Sequence, residues 1–229
     1  MSFSNFRRVL APLLSILLAM PVVAKPTRFE FRDAGLRNLI HFVSDMPLEK
    51  ILGISNFVSG WLELDPENLS DAAQGEFQVD VRTFETGIDA RNDQLRDKVF
   101  AASEFPIATF TVQKVLSVSK SRLGVNQSVS ARVQGVMKIK GVAHAQDMLV
   151  KLLYLKETPT SRQRLAGNLI KLSASFDVDL TQYNLTIPDP FRERFSKYVQ
   201  VEVDALGTDN LPTLRMLKMP EGPKPKVRN

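Results

Sequence analysis

The chain has 229 residues, 44% hydrophobic and 24% charged, with a formal net charge of +5. That is ordinary globular usage, enough for one domain with tails, and it excludes collagen-like, coiled-coil and disordered classes. There is no cysteine, which excludes disulfides, thiol catalysis and cysteine-ligated zinc; two histidines, His41 and His144, leave little for a histidine-based metal site.

Residues 1–24 contain no acid. Arg7 and Arg8 form a short positive region, Val9 to Leu18 is apolar apart from Pro12 and Ser15, and Val22 and Ala24 are the small residues that precede a cut after Ala24. Each part fits a secretory signal peptide. A single membrane anchor is the alternative, but the apolar stretch is shorter than the ~20 residues that cross a bilayer. The expected mature chain begins at Lys25, is exported, and has no integral membrane segment.

The positive charge belongs to the two ends. Residues 25–210 carry 23 basic and 24 acidic residues, whereas residues 211–229 hold five basic residues against Glu221 together with Pro212, Pro220, Pro223 and Pro225. A body without a basic patch does not predict a nucleic-acid partner. The proline-rich basic tail reads as a solvated terminus, with contact to anionic lipid heads as the other reading.

The body reads as antiparallel strands. Arg28–Asp33 and Asn38–Ser44 flank the turn signal Ala34-Gly35 and are expected to pair as a hairpin. Gly60–Asp65 is the next strand. Phe77, Val79 and Val81 alternate with Gln78, Asp80 and Arg82. Asp93–Ala102 lacks alternation and carries Leu95, Val99 and Phe100 at helical spacing, so a short helix is expected, stopped near Pro106. Phe110 and Val112 alternate with Thr109, Thr111 and Gln113; Ala131, Val133, Met137 and Ile139 lie opposite Arg132, Gln134, Lys138 and Lys140, with a bulge expected at Gly135.

Ala145–Lys156 differs because both faces are apolar, with Met148, Val150, Leu152 and Tyr154 on one and Leu149, Leu153 and Leu155 on the other. Its outer face needs a cover: a second copy of the chain, the Asp93–Ala102 helix, or the Phe191–Phe195 segment. Ile170–Leu180 alternates without a break, as do Val199, Val201, Val203 and Ala205 against Gln200, Glu202 and Asp204. A period of two puts one dry and one wet face on each strand. About eight such strands without a βαβ rhythm predict an all-β fold, an antiparallel barrel or sandwich. The charges on the wet positions favour a soluble barrel with an apolar interior over a membrane barrel with a polar lumen.

Four motifs then occur in a familiar order. Val58-Ser59-Gly60 leads to Asp65; Thr86-Gly87-Ile88-Asp89-Ala90-Arg91-Asn92-Asp93-Gln94-Leu95-Arg96 runs into Phe100; Phe105-Pro106-Ile107-Ala108-Thr109-Phe110 comes third; and Gly135-Val136-Met137-Lys138-Ile139-Lys140-Gly141-Val142 forms a hairpin. Over residues 28–206 the chain resembles the YceI-like family of periplasmic, polyisoprenoid-binding, lipocalin-like proteins. The resemblance implies a lipocalin-like barrel of about eight strands with a short helix, a periplasmic location, and a long isoprenoid chain held lengthwise in the barrel. Leu180–Asp189 and the basic tail depart from the family pattern, so no head-group contacts are carried over from those regions.

The chemistry-bearing residues are few. Asp177 and Asp179 share a wet strand face; Asp89, Asp93 and Asp97 lie near Arg91 and Arg96 without the denser oxygen pattern of a calcium loop. His41, on a face with Leu39 and Val43, reads as a core histidine or as a polar group in an apolar tunnel; His144 sits at a hairpin turn with no catalytic partner motif. No enzyme is expected, no cofactor and no metal. The expected ligand-binding wall is Phe77, Val79, Val81, Phe110, Val112, Leu172, Phe176, Val178, Val201 and Val203, each on the dry face of its strand. Residue sizes alone allow either an open channel or a packed interior. The function expected is an exported barrel that holds a polyisoprenoid or isoprenoid quinone precursor for sequestration or transport, alone or as a homodimer through Ala145–Lys156. The alternative is a ligand-free structural or stress-protective barrel.

Overall fold

Ten strands form, chiefly where the sequence alternates. In the computed structural model, which describes residues 26–33, 35–47, 49–70, 73–187 and 196–210, the elements run in this order: β1 (Thr27–Phe31), β2 (Leu39–Asp45), β3 (Lys50–Ser55), β4 (Val58–Leu64), β5 (Gln74–Asp80), α1 (Asp89–Gln94), β6 (Ile107–Val118), β7 (Ser128–Ile139), β8 (Val142–Leu155), α2 (Pro159–Arg164), β9 (Leu169–Asp179) and β10 (Tyr198–Thr208). The expected signal peptide, the basic tail and Phe191–Phe195 lie outside the described residues.

Strands β1, β4, β5, β6, β7, β8, β9 and β10 are neighbours in that order, and β1 closes on β10 where Glu30 faces Thr208, giving an eight-stranded antiparallel barrel. Closure removes the unpaired edges that an open sheet would expose. The register follows the alternation: in β9, Ile170, Leu172, Ala174 and Val178 are buried, while Lys171, Ser175 and Asp177 face out. A one-residue slip would reverse all of them, so the apolar set fixes the pairing.

β1 and β2 do not form the expected hairpin. Both run antiparallel to β10, β1 at Thr208 and β2 at Gln200–Asp204, so they are successive pieces of one interrupted wall strand. Gly35 of the expected turn lies in the loop at this break. There the Asp33 carboxylate accepts from the Gly35 N–H (2.9 Å), the Arg37 N–H (3.0 Å) and the Arg37 guanidinium (2.6 and 2.7 Å). Asn38, buried, then spans the gap: its Nδ2 donates to the Val58 carbonyl (3.3 Å) and its Oδ1 accepts from the Leu206 N–H (3.0 Å). A buried amide supplies the bonds that a continuous strand would have made.

β3, not anticipated, pairs with β2, and its Ile54 exchanges two backbone bonds of 2.9 Å with Glu85. The β2–β3 hairpin thus fills the wall between β10 and the segment after β5. That segment begins with a tight 3-10 turn, Val81–Thr83, capped by the Asp80 side chain; the strand expected to reach Arg82 ends at Asp80. The helix starts at Asp89 rather than Asp93, and continues past α1 as a π-helical turn over Leu95–Val99. The bulge expected at Gly135 lies on β6 opposite it, where register shifts after Val112 and again after Val115. Gly135 serves a different purpose: a Cβ there would meet the Phe110 ring at 2.4 Å.

Leu95 of the π-helical turn and Phe100 just beyond it pack with Val58, Val79, Val81 and Phe84, so the expected helix does not cover the outer face of β8. Part of that face is covered by the segment from the end of α2 to the start of β9, since Leu165 and Leu169 pack with Leu155. Leu149 remains 63% exposed. His41 is neither in the core nor in a tunnel. Ile40, Phe42 and Ser44 take the inward positions of β2, and His41 lies outward beside Glu202, 3.5 Å away.

Candidate ligand-binding site

The barrel encloses a cavity of about 550 Å³. It spans the barrel, from Leu64, Leu69 and Val118 at one end to Met46, Glu49, Ile88 and Arg91 at the other. All ten residues expected on the ligand-binding wall line it: Phe77, Val79, Val81, Phe110, Val112, Leu172, Phe176, Val178, Val201 and Val203. Small residues make the space. Ala131 and Ala174 face into the cavity between larger neighbours. Gly53 lets the Phe42 ring lie across β3, because a Cβ would stand 2.2 Å from two ring carbons.

One end is shut. Phe29, Val129 and Ile170 have no exposed surface there, and Leu64, Leu69 and Leu123 are nearly as deep. Two loops cross that end and bond to each other, Leu69 N–H to the Ser121 carbonyl (2.8 Å) and Leu123 N–H to the Pro66 carbonyl (2.7 Å). The other end meets water: Ile88 lines the cavity and is 51% exposed.

The polar groups of the cavity gather at this mouth. Arg91 of α1 donates from Nη1 to Glu49 at the β2–β3 turn, from Nε to Thr86 Oγ1 (3.0 Å), and from Nη2 to the Thr86 carbonyl (2.9 Å). Asn92, buried, accepts from the Thr86 N–H (2.8 Å) and hydroxyl (2.7 Å) and donates to Glu85. Arg96 pairs with Asp93 (2.8 Å) and Glu85 (3.5 Å). This network ties the helix to the rim on two sides. Among the described residues no group of three or more His, Asp or Glu side chains converges as a metal site, and neither histidine lines the cavity. His144 stands outside it, with Nε2 2.9 Å from the Gln182 carbonyl and its ring edge-on to Tyr183. Burial pushes the Tyr183 phenol up from its ordinary value.

Three mouth residues carry no functional signal in the sequence. Glu49 gives none, because its partner Arg91 is distant in the chain. Asn92 stands out only as part of a motif. Ser44 looks like a strand end; it is buried, lines the cavity, and among the described residues its Oγ has no hydrogen-bond partner.

No curated protein matches the sequence significantly. Among solved structures, BcnA of Burkholderia cenocepacia is similar at 19% identity and a TM-score of 0.58, with 77% of this chain and 100% of that one covered. A polyisoprenoid-binding domain from Saccharophagus degradans, described as implicated in plant cell wall breakdown, is similar at 19% identity and a TM-score of 0.59, with 80% of this chain and 99% of that one covered. These likenesses support the barrel fold. The YceI-like domain model matches residues 34–206, nearly the whole barrel, and the chain therefore belongs to the YceI-like family.

Proposed function

We propose that this protein binds one long apolar lipid chain, of the polyisoprenoid kind, lengthwise in its barrel, and acts as a binding protein rather than an enzyme. The observation that carries the reading is the cavity of about 550 Å³ walled by aliphatic and aromatic side chains. Family membership and the polyisoprenoid-binding neighbour support the same ligand class. At ~30 Å³ per water-sized group, the cavity holds roughly 18 such groups, or about four isoprene units. Burial contributes about 0.8 kcal/mol per CH₂, so a chain of this length binds without any catalytic group. Longer chains leave their excess at the open mouth.

The sequence of residues 1–24 supports export, and with family membership it supports a periplasmic location. Sequestration or transport of the lipid fits a site that buries the chain and opens at one end. A homodimer along β8 would cover Leu149; sedimentation at micromolar concentration tests it, and a monomer alone refutes it.

The chain-length series is the direct experiment. Protein stripped by organic extraction and refolded to its parent spectrum is titrated with isoprenoid alcohols of increasing length. Affinity should rise with each unit to about four units and then level off. Affinity independent of length, or no uptake, would refute lengthwise binding.

A further inference from the structure

We infer that the barrel docks its mouth on a lipid bilayer through the outer face of the β2–β3 hairpin, with Leu52, Ile54, Ile88 and Tyr198 entering the membrane interface. This rests on the lipid-binding reading and adds the surface from which the chain is taken.

Two independent observations carry the inference. The first is an apolar outer face on a wall that is polar elsewhere. The outward positions of β9 and β10 include Lys171, Asp177, Gln200 and Glu202. On β3 they are Lys50, Leu52 and Ile54, the last two 44% and 37% exposed. Val43 of β2 lies directly across from Leu52 and extends the apolar row, and His41 lies across from Ile54. Apolar side chains scattered singly on a surface mean little, but neighbours on one face mark a contact.

The second observation is where this face lies. The Ile54 backbone bonds to Glu85, and Thr86 and Gly87 lead from there to Ile88, which lines the cavity and is 51% exposed. Gln200 faces Val43, so Tyr198, two residues earlier and 49% exposed, stands at the level of the β2–β3 turn. Lys197 lies over its ring at 4.7 Å. A ring with a polar tip suits a membrane–water interface, where tyrosine is enriched. The apolar face is thus continuous with the opening through which the lipid passes. A chain that moves directly from bilayer to cavity never exposes its hydrocarbon to water.

Size and charge select the partner. The four side chains offer on the order of a few hundred Å² of apolar surface, below the roughly 800 Å² per partner of a standard protein interface. The charges around them are paired: Asp45 with Lys50 (3.6 Å), Glu49 with Arg91, and Glu85 with Arg96 (3.5 Å). Burial of apolar surface, rather than attraction to anionic headgroups, therefore draws this face to a bilayer.

The test is flotation of the full mature chain with vesicles of phosphatidylcholine and phosphatidylethanolamine. Neutral lipids are chosen because the basic residues of 211–229 would add their own attraction to an anionic surface. The parent should float with these vesicles equally at low and high salt. Leu52→Thr combined with Ile54→Thr keeps strand-forming residues in β3, and neither position lines the cavity. This variant should partition about tenfold less onto vesicles, with lipid occupancy in native mass spectra unchanged. Leu149→Thr removes a side chain that is 63% exposed on β8, and should partition like the parent. A parent that stays off neutral vesicles or needs phosphatidylglycerol to float, a double variant that floats like the parent, or an equal loss in Leu149→Thr would overturn membrane docking while lipid binding stands. So would a parent that sediments as a dimer beside a monomeric double variant, since a second copy would then cover the face. Failure of the parent to take up any isoprenoid chain would overturn the lipid-binding reading and this inference with it.

Discussion

The two ends of the barrel are built from the same strands yet solve different problems. At the shut end Phe29, Val129 and Ile170 have no exposed surface, and two loops bond across the opening. At the mouth the strand pair β2–β3 and the helix α1 are held apart and joined by side chains, Arg91 to Glu49 and Asn92 to Glu85 and Thr86. The first end is fixed by packing, which resists any change of volume. The second is fixed by polar contacts at a wet rim, which rearrange at lower cost. Stability therefore resides at one end and access at the other.

This contrast is most sharply broken by Phe29→Ala. The ring is fully buried and edge-on to Tyr154 at 6.2 Å, and its loss should cost about 3–5 kcal/mol in chemical denaturation. A loss below about 1 kcal/mol would mean that the shut end is not the packed one.

The joint between the ends is next. Asp33→Asn at the β1–β2 break should cost about 2 kcal/mol, because several charge-assisted bonds to one carboxylate are weakened. The Arg37 guanidinium holds the Asp33 carboxyl below its ordinary 3.8. A depressed carboxyl stabilises the fold in full above its unfolded value, and the contribution is lost as pH falls through the lower folded value. The difference in midpoint between parent and Asp33→Asn should be constant from neutral pH down to about 5 and shrink below about 4. A difference that grows on acidification would contradict the assigned pairing.

Phe176→Trp sharpens the comparison from inside the cavity. Overpacking a filled core costs about 1–3 kcal/mol. Phe176 lines open space, so the cost should fall at or below about 1 kcal/mol while lipid occupancy in native mass spectra drops. Unchanged occupancy would place the chain away from Phe176.

The smallest effect has the opposite sign. Ser44→Ala removes a buried hydroxyl without a partner, and the lipid-free variant should be more stable than the parent by about 1 kcal/mol. Calorimetry of extracted protein reads it directly.

Much of this is legible in the sequence, for one physical reason. Along β9 and β10 every second residue is apolar, and a half-buried strand has that period. The same alternation picks out the ten expected wall residues, and each of them lines the cavity. What alternation cannot convey is which strands are neighbours. Thr27–Phe31 and Leu39–Asp45 around a turn look like a hairpin, yet both lie along β10, and only the buried Asn38 records the break. β3 escapes the pattern because Gly53 and the outward Leu52 and Ile54, 44% and 37% exposed, blur its alternation. α2 is not anticipated either, although Thr158, Pro159 and Ser161 carry its start signal, a capping box with proline at the first position. The mouth is illegible because Glu49 and Arg91 meet only through the fold.

Whether the barrel holds a lipid chain is read by native mass spectrometry of protein purified from an exporting host, before and after organic extraction. The expected result is a mass above that of the mature chain by one lipid, loss of that increment on extraction, and its return on adding an isoprenoid chain of about four units. The bare mass of the chain before extraction, with no uptake afterwards of any isoprenoid, fatty-acyl or quinone-like chain by correctly folded protein, would contradict it and leave a ligand-free structural barrel.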